Sequence, residues 1–419
     1  MIKFPAWINE YIDWISDKLF MGLTIKEYMK RLLTPFNIIA GLIVFVGLYF
    51  LIQRYTQGLV AVTEASNELP WGLFLGIGLF TQVPYSSVGF VLGTAVYIFG
   101  LKKYHPVLKN AILLGFLGYF FAVVFILIDI GRPWRIYYPM VISFGTNSVL
   151  FLVAWHVALY NLVQALELAP PAFEWLGFKT LRRWAKIITL ALVISGIMLS
   201  TLHQSALGAM FLLTPGKLHP LWYTSFLPWL FFVSCIPAGL AYLIVVSKLT
   251  QIFLKDKADS HYLKSLDNIS LGLGKASALI LITYVGLRLY SVAQENVWQY
   301  LNTPYGHWFF VEFSLFAILP FLFYYGVQRK NVGFVQLTAL LTIFTIALNR
   351  VNTTLIAFNW QLPHHIYWKE GVVLIAVLTI QLLIYRWVVN RMPILREHPD
   401  YISEVHLPSA GTSVASKGS

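Results

Sequence analysis

Long apolar runs separated by short polar breaks dominate this chain. Ten runs stand out, at about 36–54, 71–100, 106–130, 143–168, 185–208, 223–249, 270–293, 305–328, 332–357 and 367–390. Each is close to or longer than the ~20 residues that an α-helix needs to cross a bilayer. The pattern before them is different. Phe4, Trp7, Ile8, Tyr11, Ile12, Ile15, Leu19 and Leu23 recur on a helical period with charges between them. Residues 1–35 therefore read as one amphipathic helix lying in the membrane interface, ended by Pro35. Small polar residues take over near the end, so 393–419 reads as a flexible cytoplasmic tail. The predicted fold is an all-α polytopic membrane protein with a ten-helix transmembrane domain over 36–392. Leu69-Pro70-Trp71 before span 2 is echoed by Leu227-Pro228-Trp229 in span 6. The echo suggests two four-helix bundles, spans 2–5 and 6–9, with spans 1 and 10 at the periphery.

Composition excludes a soluble domain: 58% of the 419 residues are hydrophobic and 11% charged, with a mean hydropathy of +0.69. The net charge of +12 is explained without nucleic acid. If the N-terminus lies inside, the outer loops hold only Arg54, Arg132, Arg135 and Lys217, against twenty-two Lys and Arg on the inner segments. That asymmetry predicts that both termini are cytoplasmic. A single cysteine, Cys235, excludes an intrachain disulfide and any cysteine-ligated cluster within the chain. Glu10, Asp13 and Asp17 stand where the apolar core of a cleavable signal would be, so none is expected.

With the chain oriented, the unusual polar residues collect at the outer face. The run ending at Leu199 is followed by Ser200-Thr201-Leu202-His203-Gln204-Ser205. A titratable imidazole beside an amide suits a quinone carbonyl, although interface polar residues can also be ordinary helix ends. Trp71, Asn147 and Asp129, with Arg132 as the expected partner of Asp129, fall at the same level. Within span 4, His156, Tyr160 and Glu167 lie on one helical face and could relay protons inward; the alternative is interhelical hydrogen bonding. Arg288, Glu312 and Arg350 sit at similar depth in spans 7–9 and could form a buried ion-pair group, functional or structural. No spacing of ligands suggests a metal site, and Gly272-x-Gly274 is too short for a dinucleotide loop.

Several short stretches, in order, resemble one family. They are Pro70-Trp71-Gly72, Tyr104-His105-Pro106, Asp129-Ile130-Gly131-Arg132, Asn147-Ser148-Val149-Leu150-Phe151, Leu202-His203-Gln204-Ser205, His219-Pro220-Leu221-Trp222 and Leu287-Arg288. Together they resemble the NrfD/polysulfide-reductase (PsrC-like) membrane subunits, in the ten-helix HybB-like branch that includes the QrcD-type menaquinone reductase subunit. The resemblance implies a haem-free quinone-binding subunit of a respiratory oxidoreductase in the bacterial inner membrane. Its substrate would be menaquinone, and its partner a ferredoxin-like iron–sulfur subunit on the periplasmic side. Molybdopterin-type, hydrogenase or multihaem cytochrome c subunits are the further partners it implies. One position departs: where the hydrogenase branch has a Glu after the Asn-Ser-Val-Leu-Phe run, this chain has Leu152, with His156 one turn later. A proton route argued from that Glu does not carry over unchanged: either His156 substitutes for it, or the route, and with it proton translocation, is absent. Two other classes fit the same spans: a haem-b quinol oxidoreductase anchor, for which His203 with His364 or His365 would be candidate ligands, and a secondary transporter.

Overall fold

The computed structural model describes residues 6–362 and 367–401, apart from the side chains of 6–9 and 11. The apolar face expected of Phe4, Trp7, Ile8 and Tyr11 lies outside the described residues, as do His364 and His365. Two short helices open the chain, α1 (Ala6–Phe20) and α2 (Ile25–Leu32). Nine long ones follow: α3 (Pro35–Gln57), α4 (His105–Asp129), α5 (Val149–Glu167), α6 (Lys179–Ala209), α7 (Leu227–Phe253), α8 (Ser260–Gln294), α9 (Pro304–Gln328), α10 (Val332–Val351) and α11 (Trp368–Arg391). Local sequence sets where they start. Thr34, Ser148, Asp259, Thr303 and Asn331 each accept a backbone N–H of the first turn, and prolines occupy the first turns of α3, α4, α7 and α9.

These nine are, among the described residues, the helices long and apolar enough to cross a membrane. The sequence pattern predicted ten. The difference is 71–100, which forms not one helix but the short pieces Leu73–Gly76, Gln82–Ser86 and Val88–Gly93 and a π-helical turn at Thr94–Ile98. The cause is in the sequence. Pro84 has no N–H to give, and Thr81 and Ser86 bond back to Gly76 and Gln82 carbonyls. Glycines then let neighbours approach closely. A Cβ on Gly118 of α4 would meet Ser86 Oγ at 1.8 Å, and one on Gly239 of α7 would meet Val88 N at 2.6 Å. The segment is thus wedged, mostly buried, between α4 and α7.

The interrupted segment packs with α4 and α6, α4 with α5, and α5 with α6; α7, α8, α9 and α10 pack on one another; α3 packs along α11. α7 joins the two groups through α6 and the interrupted segment. Contacts define two ends. At one, Arg54 closing α3 donates to the carbonyls of Ile128 and Ile130 closing α4, and Lys369 opening α11 donates to Ala61 O at 3.1 Å. The α6–α7 loop meets the chain after α10 there, through His219 N to Ala357 O at 2.8 Å. At the other end, Lys109 near the start of α4 pairs with Glu397 at 2.8 Å, and Arg182 near the start of α6 pairs with Glu174 at 2.7 Å.

Both terminal segments differ from the sequence reading. The single amphipathic helix over 1–35 is instead two, because Met21 and Gly22 turn the chain at positive φ (58° and 74°). Thr24 and Glu27 then form a capping box that starts α2. Arg391 holds this unit down by donating to Leu19 O and Tyr28 Oη at 2.6 and 2.7 Å. After α11, Ile394 and Leu395 are buried, and the chain stays against the body as far as Tyr401, whose ring lies 3.4 Å from the Arg182 guanidinium. The rest of the expected tail lies outside the described residues.

Candidate functional site

His203 and Gln204, singled out in the sequence, are fully buried near the end of α6, facing α4 and α5. Their bonds run in one direction. Gln204 Nε2 donates to Val83 O at 3.0 Å and to Tyr119 Oη at 2.9 Å. Tyr119 Oη lies 2.5 Å from His203 Nε2, and His203 Nδ1 lies 2.7 Å from Leu199 O. A carbonyl can only accept, so Nδ1 carries the proton; Nε2 then accepts from the Tyr119 hydroxyl. This assigns the tautomer from the bonding pattern alone. The Tyr160 ring completes the group, with centroids 4.7 Å from Tyr119 and 5.3 Å from His203. The buried Ser200 Oγ and Gln164 Oε1 beside it have no hydrogen-bond partner among the described residues, although Gln164 Nε2 donates to Tyr160 Oη at 3.1 Å. Unmet acceptors and donors in a low-dielectric interior are costly, and a short hydroxyl–imidazole hydrogen bond of this kind can pass a proton between its two partners while the amide holds the hydroxyl in place.

Trp71 lies half-buried in an aromatic set with Phe80, Phe211 and Phe358, at centroid distances of 5.6, 5.1 and 4.6 Å. Phe80 and Phe211 continue it to Phe231 of α7. Beyond Trp71 is a charged group that the sequence reading did not assemble. Asp129 was expected to pair with Arg132, but Arg132 is exposed; the cation facing Asp129 is Arg54, buried in the last turn of α3. The reason is helical geometry: α4 ends at Asp129, and the turn that follows carries Arg132 outward. Glu370 of α11 joins them. It is buried and accepts from Phe74 N at 3.2 Å. A Cβ on Gly72 would stand 2.1 Å from its Oε1, so a larger residue there would push this carboxylate aside. Asn147 is exposed in the loop before α5, so the structure does not bring it or Arg132 to the His203 group.

On α5, Tyr160 meets His203 directly, and Tyr160 and Glu167 both face Gly196 of α6, whose Cβ would lie 3.4 and 3.9 Å from them. His156 is half-buried and its Nδ1 has no partner among the described residues.

Arg288, Glu312 and Arg350 are all buried, but no ion pair joins them. Neutral groups intervene. Glu312 accepts from Asn349 Nδ2 (2.7 Å), Trp222 Nε1 (3.0 Å) and Asn352 Nδ2 (2.5 Å). Arg350 donates to Asn349 Oδ1 (2.8 Å) and Ser234 Oγ (2.7 Å), and Arg288 to Leu221 O (3.0 Å). The expected ion-pair group is thus a network bridged by Asn349, since asparagine satisfies both charges with one side chain. No group of three or more His, Cys, Asp or Glu among the described residues could hold a metal.

Residues 61–358 match the family model described as "Polysulphide reductase, NrfD". The chain belongs to the NrfD family. It is accordingly a multi-pass integral membrane protein. A protein of Nitratidesulfovibrio vulgaris is 42% identical over 377 residues, covering 89% of this chain and 97% of that one. The probable Ni/Fe-hydrogenase 2 b-type cytochrome subunit of Escherichia coli is 28% identical over 365 residues, covering 85% and 91%. The integral membrane subunit of menaquinone reductase from Nitratidesulfovibrio vulgaris is 24% identical over 380 residues, covering 81% and 88%. The NrfD match contains Trp71, Asp129, the His203 group and the Arg288–Arg350 network, while Glu370 lies beyond it. Tyr119, Arg54, Glu370 and Asn349 are the site residues that sequence reasoning missed. Tyr119 is one of 23 tyrosines and nothing local marks it. Glu370 did carry a signal, a carboxylate in the first turn of an apolar span.

Proposed function

We propose that this chain is the quinone-reactive membrane subunit of a respiratory oxidoreductase in the bacterial inner membrane. It exchanges electrons between menaquinone and an iron–sulfur partner docked at the Asp129 end. Family membership and the menaquinone reductase relative support the substrate class. The observation that carries the site is the buried chain from Gln204 through Tyr119 to His203. Reducing a quinone takes two electrons and two protons; the electrons belong to the partner's clusters, and the protons fall to this protein. In this reading the Trp71 aromatic set seats the quinone ring. The Tyr119 hydroxyl gives its proton to a quinone oxygen and is refilled from Nε2 of His203 once that ring has been protonated. Asp129 and Glu370 flank the entrance, and His156, Tyr160 and Glu167 are the candidate path for protons from the far end. Arg132 and Asn147, being exposed, serve the partner interface. We read 71–100 as a tenth crossing, which gives two four-helix bundles and a peripheral α3–α11 pair. The Lys/Arg asymmetry, with both terminal segments meeting one end, supports cytoplasmic termini.

The test is quinone-dependent turnover of the assembled complex. His203→Ala and Tyr119→Phe should each lower it by about a hundredfold or more, the scale of general acid–base catalysis. Partner-subunit reduction by the donor should be unchanged. Parental quinone turnover in either assembled variant overturns the reading.

A further inference from the structure

A second polar centre lies among α7, α8, α9 and α10, apart from the His203 group. A small cavity is lined there by Trp222, Phe231, Tyr284, Arg288, Asn349 and Arg350, among others. Its two arginines are 4% and 1% exposed. No carboxylate among the described residues bonds to either. Arg350 meets the neutral acceptors Asn349 Oδ1, Ser234 Oγ and Phe231 O, and lies 3.8 Å over the Phe231 ring. Its Nε has no partner among the described residues. Arg288 meets the Leu221 carbonyl and the face of Phe309. Glu312, the one acid nearby, spends its oxygens on Asn349, Trp222 and Asn352. Two cations against one carboxylate leave a formal surplus of one positive charge buried among the helices, where an uncompensated charge is costly.

We propose that this cavity is a binding site for a small monovalent anion such as chloride, with Arg288 and Arg350 as its ligands. The donors fit: a buried guanidinium N–H without a partner, a second guanidinium across the space, and the Tyr284 phenol on the wall. Size selects the class. The cavity has room for one small occupant only, which excludes a naphthoquinone ring, and its two guanidinium groups favour that occupant being an anion. The anion would neutralise the surplus charge and fix the α7–α10 packing. It does so independently of any quinone chemistry.

The experiment is equilibrium binding of radiolabelled chloride to the purified full chain in nanodiscs. The parent should bind one saturable chloride per chain, displaced by bromide. Two charge-removing changes should act in opposite directions. Arg350→Gln should weaken binding by about tenfold or more, and Glu312→Gln, which removes the competing negative charge, should tighten it. No saturable binding by the parent, or unchanged binding by Arg350→Gln, overturns the proposal. Should Arg350→Gln fail to fold, Glu312→Gln decides: affinity no higher than that of the parent is equally fatal.

Discussion

Leu199 O and the Tyr119 hydroxyl hold the His203 imidazole from both sides, so its tautomer cannot invert without losing a bond. That constraint makes Tyr119→Phe an informative change: it removes one oxygen and keeps the ring packed on Tyr160. His203 and Gln204 were legible in the sequence because polar residues closing an apolar run are conspicuous. Tyr119 was not, since its partners are more than eighty residues away and its ring looks like any other core aromatic. His219 makes a separate prediction. It is buried in the α6–α7 loop, with centroids 4.8 Å from both Tyr305 and Trp360, and its Nδ1 accepts from Leu221 N at 3.2 Å. Burial lowers its pKa from 6.5 to about 4. The unfolded chain therefore binds the proton first, and stability present above pH 6.5 is lost as pH falls towards 4. Thermal unfolding followed between pH 7.5 and 4.5 should show a smaller acid loss in His219→Gln than in the parent; identical pH profiles would contradict this.

Among the elements, α3 and α11 pack through a small-residue crossing. A Cβ on Gly47 would come within 2.1 Å of Ala376 Cβ, whereas one on Gly41 of the same helix meets nothing within 4 Å. Gly47→Leu should cost about 1–3 kcal/mol by overpacking, and Gly41→Leu close to nothing. The measurement is the thermal midpoint of each variant in one detergent; equal midpoints would show that the pair is not held together there. Nine of the ten apolar runs became long helices because length and hydropathy alone decide them. The run at 71–100 was legible as apolar. Its division into several pieces depends on what its glycines and hydroxyls meet on α4 and α7, which no local pattern reveals. Trp71 and Trp229 show the same limit. The Leu-Pro-Trp echo is real in sequence, yet Trp71 sits in the aromatic set while Trp229 is 61% exposed.

For the whole molecule, the two ends have different chemistry. Asp129, Glu370, Arg54 and the Trp71 set gather at one, and the Lys109–Glu397 and Arg182–Glu174 pairs at the other. Glu167 near the second end, Tyr160 between, and His156, whose Nδ1 has no partner among the described residues, form the proposed proton route to His203. In sealed vesicles, His156→Leu should keep quinone reduction but lower proton uptake from the cytoplasmic side; parental uptake would remove His156 from the route. The central claim is that quinone binds against the Trp71–His203 region rather than elsewhere in the helices. A photoreactive menaquinone analogue, activated on the purified complex and mapped by mass spectrometry, tests it most directly. Labelling should fall within 70–84 and 199–211, compete with unmodified menaquinone, and drop in Tyr119→Phe. Competed labelling confined to α8, α9 and α10, or none that menaquinone displaces, would contradict the account.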